Sequence, residues 1–174
     1  INFDGVYMNS EVWINGNYLA KRPYGYISFR YDISKYLKAG GNTIAVRVDN
    51  SLEPSARWYH PCGIYAQVKL IEVNPTHFKP NSIFLRTPSI SKQKATVTIE
   101  AEINGKLKGL KYEVKLFSPE GKELTNTCER LKISNPKYDF EVKNPQLWSP
   151  ETPNVYKAVT QIFDGKKVID KLET

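Results

Sequence analysis

Short runs of alternating apolar and polar residues recur along the whole chain, separated by Gly, Pro, Asn and Ser. No long segment carries the 3.6-residue period of an amphipathic helix, so the pattern predicts an all-β protein. Residues 11–14 and 17–20 flank Asn15-Gly16. Asn-Gly between apolar runs favours a two-residue hairpin, because both residues tolerate positive φ. Further strands are expected over 27–32, 43–49 and 65–73, with one short helical turn over 33–37 where Ile33, Tyr36 and Leu37 are apolar. In the 43–49 run, Ile44, Val46 and Val48 share one face, and Ala45, Arg47 and Asp49 the other.

From about Asn74 the aromatic content falls and the alternation becomes more regular. Residues 94–103 read as one strand, with Ala95, Val97, Ile99, Ala101 and Ile103 inward and Lys94, Thr96, Thr98, Glu100 and Glu102 outward. Tyr112, Val114 and Leu116 make a second inner face, and Tyr138, Phe140 and Val142 a third. Tyr156, Ala158 and Ile162 lead through Asp164-Gly165 into 168–172, a closing hairpin. With 83–86 and 122–131 this makes about seven strands in roughly 100 residues, the strand count of an immunoglobulin-like sandwich. The Cys-Trp-Cys pattern of antibody domains is missing, so the expectation concerns sandwich architecture only. The domain expectation is 1–73 and 74–174.

Composition narrows the function classes. The formal charge is +7, from 25 basic and 18 acidic residues. Most lysines alternate with acids, as in 111–115 and 137–141, which describes a solvated sheet face; a nucleic-acid footprint gathers basic groups into one stripe. Cys62 and Cys128 fall in different predicted domains and read as two free thiols. No apolar run approaches the ~18 residues that span a bilayer.

The densest chemistry lies in the connection from Asp49 to Tyr65, where Arg57, Trp58, Tyr59 and His60 stand side by side. Loops held at both ends by strands are where binding groups usually sit. The Arg57 fork suits sugar hydroxyls or a carboxylate, or it pairs with Glu53 or Asp49 to hold the loop shut. Trp58 and Tyr59 can stack on the C–H face of a pyranose, or one of them anchors the loop to the core. Adjacent residues of an extended backbone point opposite ways, so one is expected inward and one outward. Asp49 is expected to accept hydrogen bonds from loop amides. A catalytic pair of Asp49 and Glu53 is disfavoured, because four residues of turn do not specify the fixed separation that two cooperating carboxyl groups need. His60-Pro61-Cys62 lacks the spaced ligand pairs of a zinc site, so no metal or other cofactor is expected. Trp148 is expected to plug the end of the second sandwich, and Trp13 to pack in the core or on a sheet face. Tyr18, Tyr24, Tyr26, Tyr31 and Tyr36 read as the cover of a domain interface or as a sugar-stacking surface.

Several motifs in order resemble glycoside hydrolase family 2, which contains β-galactosidases, β-glucuronidases and β-mannosidases. They are Phe3-Asp-Gly-Val-Tyr7, Val12-Trp-Ile-Asn-Gly16, Gly25-Tyr26, Phe29-Arg-Tyr-Asp-Ile33, the run 42–50, Arg57-Trp-Tyr59, Gly63-Ile-Tyr65 and Val68-Lys-Leu70, followed by 144–156. The resemblance implies an N-terminal jelly roll (galactose-binding-like), entered part-way with its first strands missing, then an immunoglobulin-like sandwich. It implies a retaining hydrolase whose two catalytic glutamates lie on a (β/α)8 barrel beyond Thr174, so that this fragment alone is inactive and holds no catalytic residue. The 49–65 loop then closes one side of the substrate pocket, with Arg57, Trp58 and Tyr59 as binding residues. The implied partners are a β-galactoside-like glycan and the protein's own barrel, with no nucleic acid and no membrane; a periplasmic or secreted location suits such an enzyme. Arg57 stands where several members carry an acidic residue, six before the Gly-Ile dipeptide, and Cys62 and Ala66 replace a small residue and an Arg. A free-standing carbohydrate-binding module and a tandem-sandwich surface protein are the rival readings.

Overall fold

The computed structural model describes residues 1–51 and 60–174. The chain is all-β, with a single 3-10 turn at Ser34–Tyr36 among the described residues, and it divides into two compact units, Ile1–Glu72 and Val73–Thr174.

The first unit contains β1 (Asn2–Phe3), β2 (Val6–Tyr7), β3 (Ser10–Ile14), β4 (Asn17–Arg22), β5 (Phe29–Arg30), β6 (Ile44–Arg47), β7 (Gly63–Ile64) and β8 (Val68–Lys69). They form three small antiparallel sheets, ordered β5-β1-β8, β2-β7 and β4-β3-β6. The β3–β4 hairpin turns on Asn15 (φ 48°) and Gly16 (φ 82°), the paired left-handed residues of a type I′ turn. Phe3, Val6, Val12 and Phe29 are buried together, and the Phe3 and Phe29 rings stack at 5.1 Å. The expected strands over 27–32 and 65–73 shrink to two residues each, because both pair with β1, which itself offers only Asn2 and Phe3. Leu70, Ile71 and Val73 are consequently exposed.

Asn15 also ties the hairpin to the chain preceding β6. Its Nδ2 donates to the Tyr36 carbonyl (2.9 Å) and to Asn42 Oδ1 (2.8 Å), and its Oδ1 accepts from the Thr43 amide at 3.0 Å. Asn15→Ala removes all three bonds and leaves in left-handed backbone a residue without the polar side chain that lets Asn tolerate it, so a loss of about 2 kcal/mol is expected from urea unfolding. Asn15→Gly, which relieves the backbone and loses the same bonds, should fall between Ala and the parent.

The second unit contains β9 (His77–Phe78), β10 (Phe84–Ile90), β11 (Lys94–Glu100), β12 (Ile103–Asn104), β13 (Leu110–Phe117), β14 (Glu123–Arg130), β15 (Lys137–Lys143), β16 (Lys157–Asp164) and β17 (Lys167–Glu173). One sheet runs β10-β11-β15, a second β14-β13-β16-β17, and β9 pairs with β12, all antiparallel. Between the two larger sheets lie Ala95, Ile99, Phe140 and Val142 from one side and Tyr112, Val114, Leu116, Ala158 and Ile162 from the other. The expected single strand over 94–103 breaks after Glu100: Ala101 donates to the Pro136 carbonyl, and Ile103 pairs with Phe78. Thr98, expected to face outward, is buried, and its hydroxyl donates to Asp139 on the neighbouring strand at 2.5 Å. The outer face of that sheet carries ion pairs between Arg86 and Glu100 and between Lys94 and Glu141, all substantially exposed. That is the solvated pattern the charge alternation implies.

Candidate functional site

The sequence places candidate chemistry between β6 and β7, and the structure shows how that connection is held at each end. On the entry side the Asp49 amide donates to the Met8 carbonyl (3.1 Å), and Asn9 Nδ2 donates to the Asp49 carbonyl at 3.2 Å. The Asp49 carboxylate accepts from the Ser51 hydroxyl (2.6 Å) and the Ser51 amide (3.1 Å). Those two bonds, with Arg47 nearby, hold its carboxyl below the usual carboxylate range. Asp49 therefore does the turn-capping work expected of it.

On the exit side His60 is gripped by two tyrosines. Its ring stacks on Tyr7 with centroids 5.0 Å apart and planes 11° from parallel, and its Nδ1 lies 2.7 Å from the Tyr26 hydroxyl. Tyr7 and Tyr26 meet edge-on at 5.2 Å, and Tyr24 meets Tyr26 in the same way at 5.8 Å. Crowding by these neighbours withdraws the Tyr26 hydroxyl from water and lifts it above the ordinary phenol range, and the surrounding phenols Tyr7, Tyr65 and Tyr24 act in the same direction. Further along, β7 pairs with β2, and the Tyr65 hydroxyl donates to the Gly25 carbonyl at 2.8 Å. Two glycines make the close packing possible. A β-carbon on Gly25 would stand 2.3 Å from the Tyr7 ring, and one on Gly5 would stand 2.4 Å from the Tyr65 ring.

Arg57, Trp58 and Tyr59, with Glu53, lie outside the described residues. The structure does place their sequence neighbour His60, and it adds Tyr7 and Asn9, which sequence reading missed. Their only signal was position: Tyr7 ends β2, and Asn9 stands in the two-residue connection from β2 to β3. The five tyrosines read as one surface separate into groups. Tyr24 and Tyr26 join His60, Tyr18 lies against Trp13 at 5.4 Å, and Tyr31 packs on Phe29 at 5.6 Å. Lys35 sits over Tyr36 at 4.8 Å.

Trp148 does not plug the second sandwich; it is 62% exposed. The connection from β15 to β16 is organised by its own bonds, with Asn154 Nδ2 donating to the Leu147 carbonyl and the Gln146 amide donating to the Tyr156 hydroxyl. That network leaves the indole at the rim of an apolar cavity of about 330 Å³, walled by Leu85, Ile90, Val97, Leu116 and Val142. Cys62 and Cys128 are both free and exposed. Among the described residues no group of three His, Cys, Asp or Glu side chains is arranged to hold a metal ion.

Comparison with known proteins adds an independent line. The sequence pattern described as "Glycosyl hydrolases family 2, sugar binding domain" matches residues 1–75, and that described as "Glycosyl hydrolases family 2" matches 76–174. A putative beta-glucuronidase of Formosa agariphila is 71% identical over the whole chain, which covers 17% of that protein. The beta-galactosidase BoGH2A of Bacteroides ovatus is 38% identical, again over the whole chain, which covers 22% of it. The crystal structure of a beta-glycosidase from Bacteroides vulgatus superposes with a TM-score of 0.88 at 40% identity, over 99% of this chain and 22% of that one. The chain thus spans about a fifth of the length of the relatives it matches.

Proposed function

Because the chain belongs to glycosyl hydrolase family 2, we propose that it forms the non-catalytic N-terminal portion of a retaining glycoside hydrolase acting on terminal β-glycosidic bonds. In this reading residues 1–73 are the sugar-binding jelly roll and 74–174 the immunoglobulin-like sandwich, and together they support a catalytic barrel that contributes both glutamates. The 49–65 connection lines one side of the substrate pocket. Arg57 supplies a planar fork of donors, and one of Trp58 and Tyr59 supplies an aromatic face. The observation that carries this reading is that the two family patterns account for all 174 residues, while the relatives run to four or more times that length. The chemistry of the whole enzyme is then a double displacement by two carboxyl groups ~5–5.5 Å apart, with a covalent glycosyl-enzyme intermediate. This chain's part is to position substrate, not to break the bond.

The glycan is β-galactoside-like in this reading. A β-glucuronide is the competing substrate, favoured by the 71% identity to a protein named as a putative beta-glucuronidase and by the match between a guanidinium and a carboxylate. Chromogenic β-galactoside and β-glucuronide assays of this chain alone should show no turnover, and the full-length enzyme that contains it should turn over one of the two. Turnover by the chain alone, abolished by Glu53→Gln, overturns the proposal. Sub-millimolar binding of galactosides to the chain alone in calorimetry would instead favour a free-standing binding module.

A further inference from the structure

Not every basic residue of the second unit alternates with acids. Lys108 and Lys111, Arg130 and Lys132, and Lys166 and Lys167 come from three separate stretches, and the register of one sheet gathers them at one of its ends. Lys111 on β13 stands directly opposite Arg130 on β14 and opposite Phe163 on β16, and Phe163 in turn faces Val168 on β17. Their neighbours Tyr112 and Ile162 are fully buried, so alternation turns Lys111, Arg130 and Phe163 to the outer face. Past that row the Leu131 amide donates to the Leu110 carbonyl at 2.9 Å, which sets Lys132 beside the Lys108-Gly109 step. Asp164 pairs with both Leu110 and Lys167, which brings the Gly165-Lys166 turn to the same end. All six basic residues are exposed.

This arrangement works against the fold. Like charges directly opposite each other destabilise an antiparallel pair, and Lys111 and Arg130 are so placed. Among the described residues none of the six makes an ion pair, whereas Arg86, Lys94 and Lys171 of the same unit do. The carboxylates alongside are engaged elsewhere: Glu113 with Lys115 at 3.5 Å, and Glu129 as acceptor from the Tyr138 hydroxyl at 3.3 Å. A patch of one sign left uncompensated raises the local concentration of anions. Beside the cations lie the half-buried Phe163 ring and the exposed Val168. Cations next to an aromatic face suit an acidic sugar, whose charged group meets the guanidinium and ammonium groups while its C–H face meets the ring.

We propose that this end of the second unit, centred on Lys111, Arg130 and Phe163, is a binding site for an acidic polysaccharide, one that bears carboxylate or sulfate groups. The choice of a glycan among polyanions rests on the reading of the chain as part of a glycoside hydrolase; the anion site itself rests on the register. The site breaks no bond. It holds a polymer on the protein, and tethering of that kind raises the effective concentration of the polymer's other sugars.

The test is calorimetric titration of this chain at low salt with polygalacturonate, dextran sulfate, neutral dextran and duplex DNA. One or both of the acidic polysaccharides should bind, the tighter of them naming the acidic group, and neutral dextran should not. Lys111→Glu should weaken that binding by about tenfold or more. The same substitution places a carboxylate opposite Arg130, so the urea midpoint should hold or rise, which separates lost binding from lost folding. Phe163→Leu, which keeps apolar area and removes the aromatic face, should weaken binding by about threefold. Lys143→Glu makes the same change in net charge on β15 of the other sheet, and it should leave affinity within about twofold. No binding to either acidic polymer overturns the site, as does tighter binding to DNA. An equal loss from Lys143→Glu, or no loss from Phe163→Leu, reduces the effect to net charge and overturns it as well. The glycosidase assays of the full-length enzyme decide the underlying reading separately. Turnover there without polymer binding by this chain removes only the site; polymer binding without turnover removes the reading and keeps the site.

Discussion

Tyr112→Ala is expected to destabilise the second unit by about 4 kcal/mol, and Tyr112→Phe to stabilise it by about 1 kcal/mol. Tyr112 is fully buried on β13, with Glu129 opposite it on β14 and Ile162 opposite it on β16. Its ring meets Phe78 edge-on at 5.9 Å and Tyr138 at 5.6 Å. Truncation to Ala opens a hole the size of a ring between two sheets that cannot collapse onto it. Against a total stability of ~5–15 kcal/mol for a domain, that loss brings the unit close to unfolding. The hydroxyl has the opposite sign, because among the described residues it is buried without a hydrogen-bond partner.

The same hydroxyl predicts a pH dependence. Burial pushes it far above the ordinary phenol range, and Tyr138 adds in the same direction. Above pH ~10 the unfolded chain loses this proton while the native state keeps it, so stability is intact below that pH and falls as pH rises beyond it, by about 1.4 kcal/mol per pH unit. Tyr112→Phe removes that slope. Urea unfolding followed by circular dichroism at pH 8 and pH 11 measures both effects; equal losses for the parent chain and the Tyr112→Phe variant between the two pH values would refute the assignment.

Gly25→Ala should destabilise the first unit by about 2–3 kcal/mol. The new methyl would sit 2.3 Å from Tyr7 Cδ2, 2.9 Å from Cγ and 3.0 Å from the Tyr7 Cα, so the clash reaches the root of the side chain, where no rotamer change avoids it. Tyr7 would have to leave its stack on His60, and the Gly25 carbonyl that receives the Tyr65 hydroxyl would shift with it. Gly41→Ala is the control, since nothing lies within 4 Å of a β-carbon there, and it should change stability by no more than about 0.5 kcal/mol. Equal denaturation midpoints for the two variants would contradict the packing described for Tyr7.

Legibility followed the length of the pairing partner. In the two larger sheets of the second unit the strands run seven or eight residues against partners of like length, so alternation along Tyr112, Val114 and Leu116 reported the buried face correctly. It failed at Thr98, because a hydroxyl bonded to Asp139 is buried at much lower cost than an unbonded one, and a one-dimensional pattern does not show the partner. In the first unit β5 and β8 are limited by the two residues of β1, a restriction that comes from elsewhere in the chain. Trp148 was misjudged for a related reason: apolar character argued for burial, but the bonds of Asn154 and Gln146 hold the surrounding backbone so that the indole stays at the rim.

The stretch 49–65 shows the same division most clearly. Sequence alone determined that a connection dense in Arg, Trp, Tyr and His lies between two strand segments, and that an Asx residue caps its entry, because side-chain chemistry and local turn preference are properties of neighbouring residues. The motif order determined the family by the same local means. Only the tertiary structure decided that Tyr7 and Tyr26, both far earlier in the chain than His60, close on its ring, and that Gly5 and Gly25 are glycines because aromatic rings lie against them. Those contacts join residues far apart in the chain, and their geometry depends on how three small sheets are arranged, which no local pattern encodes.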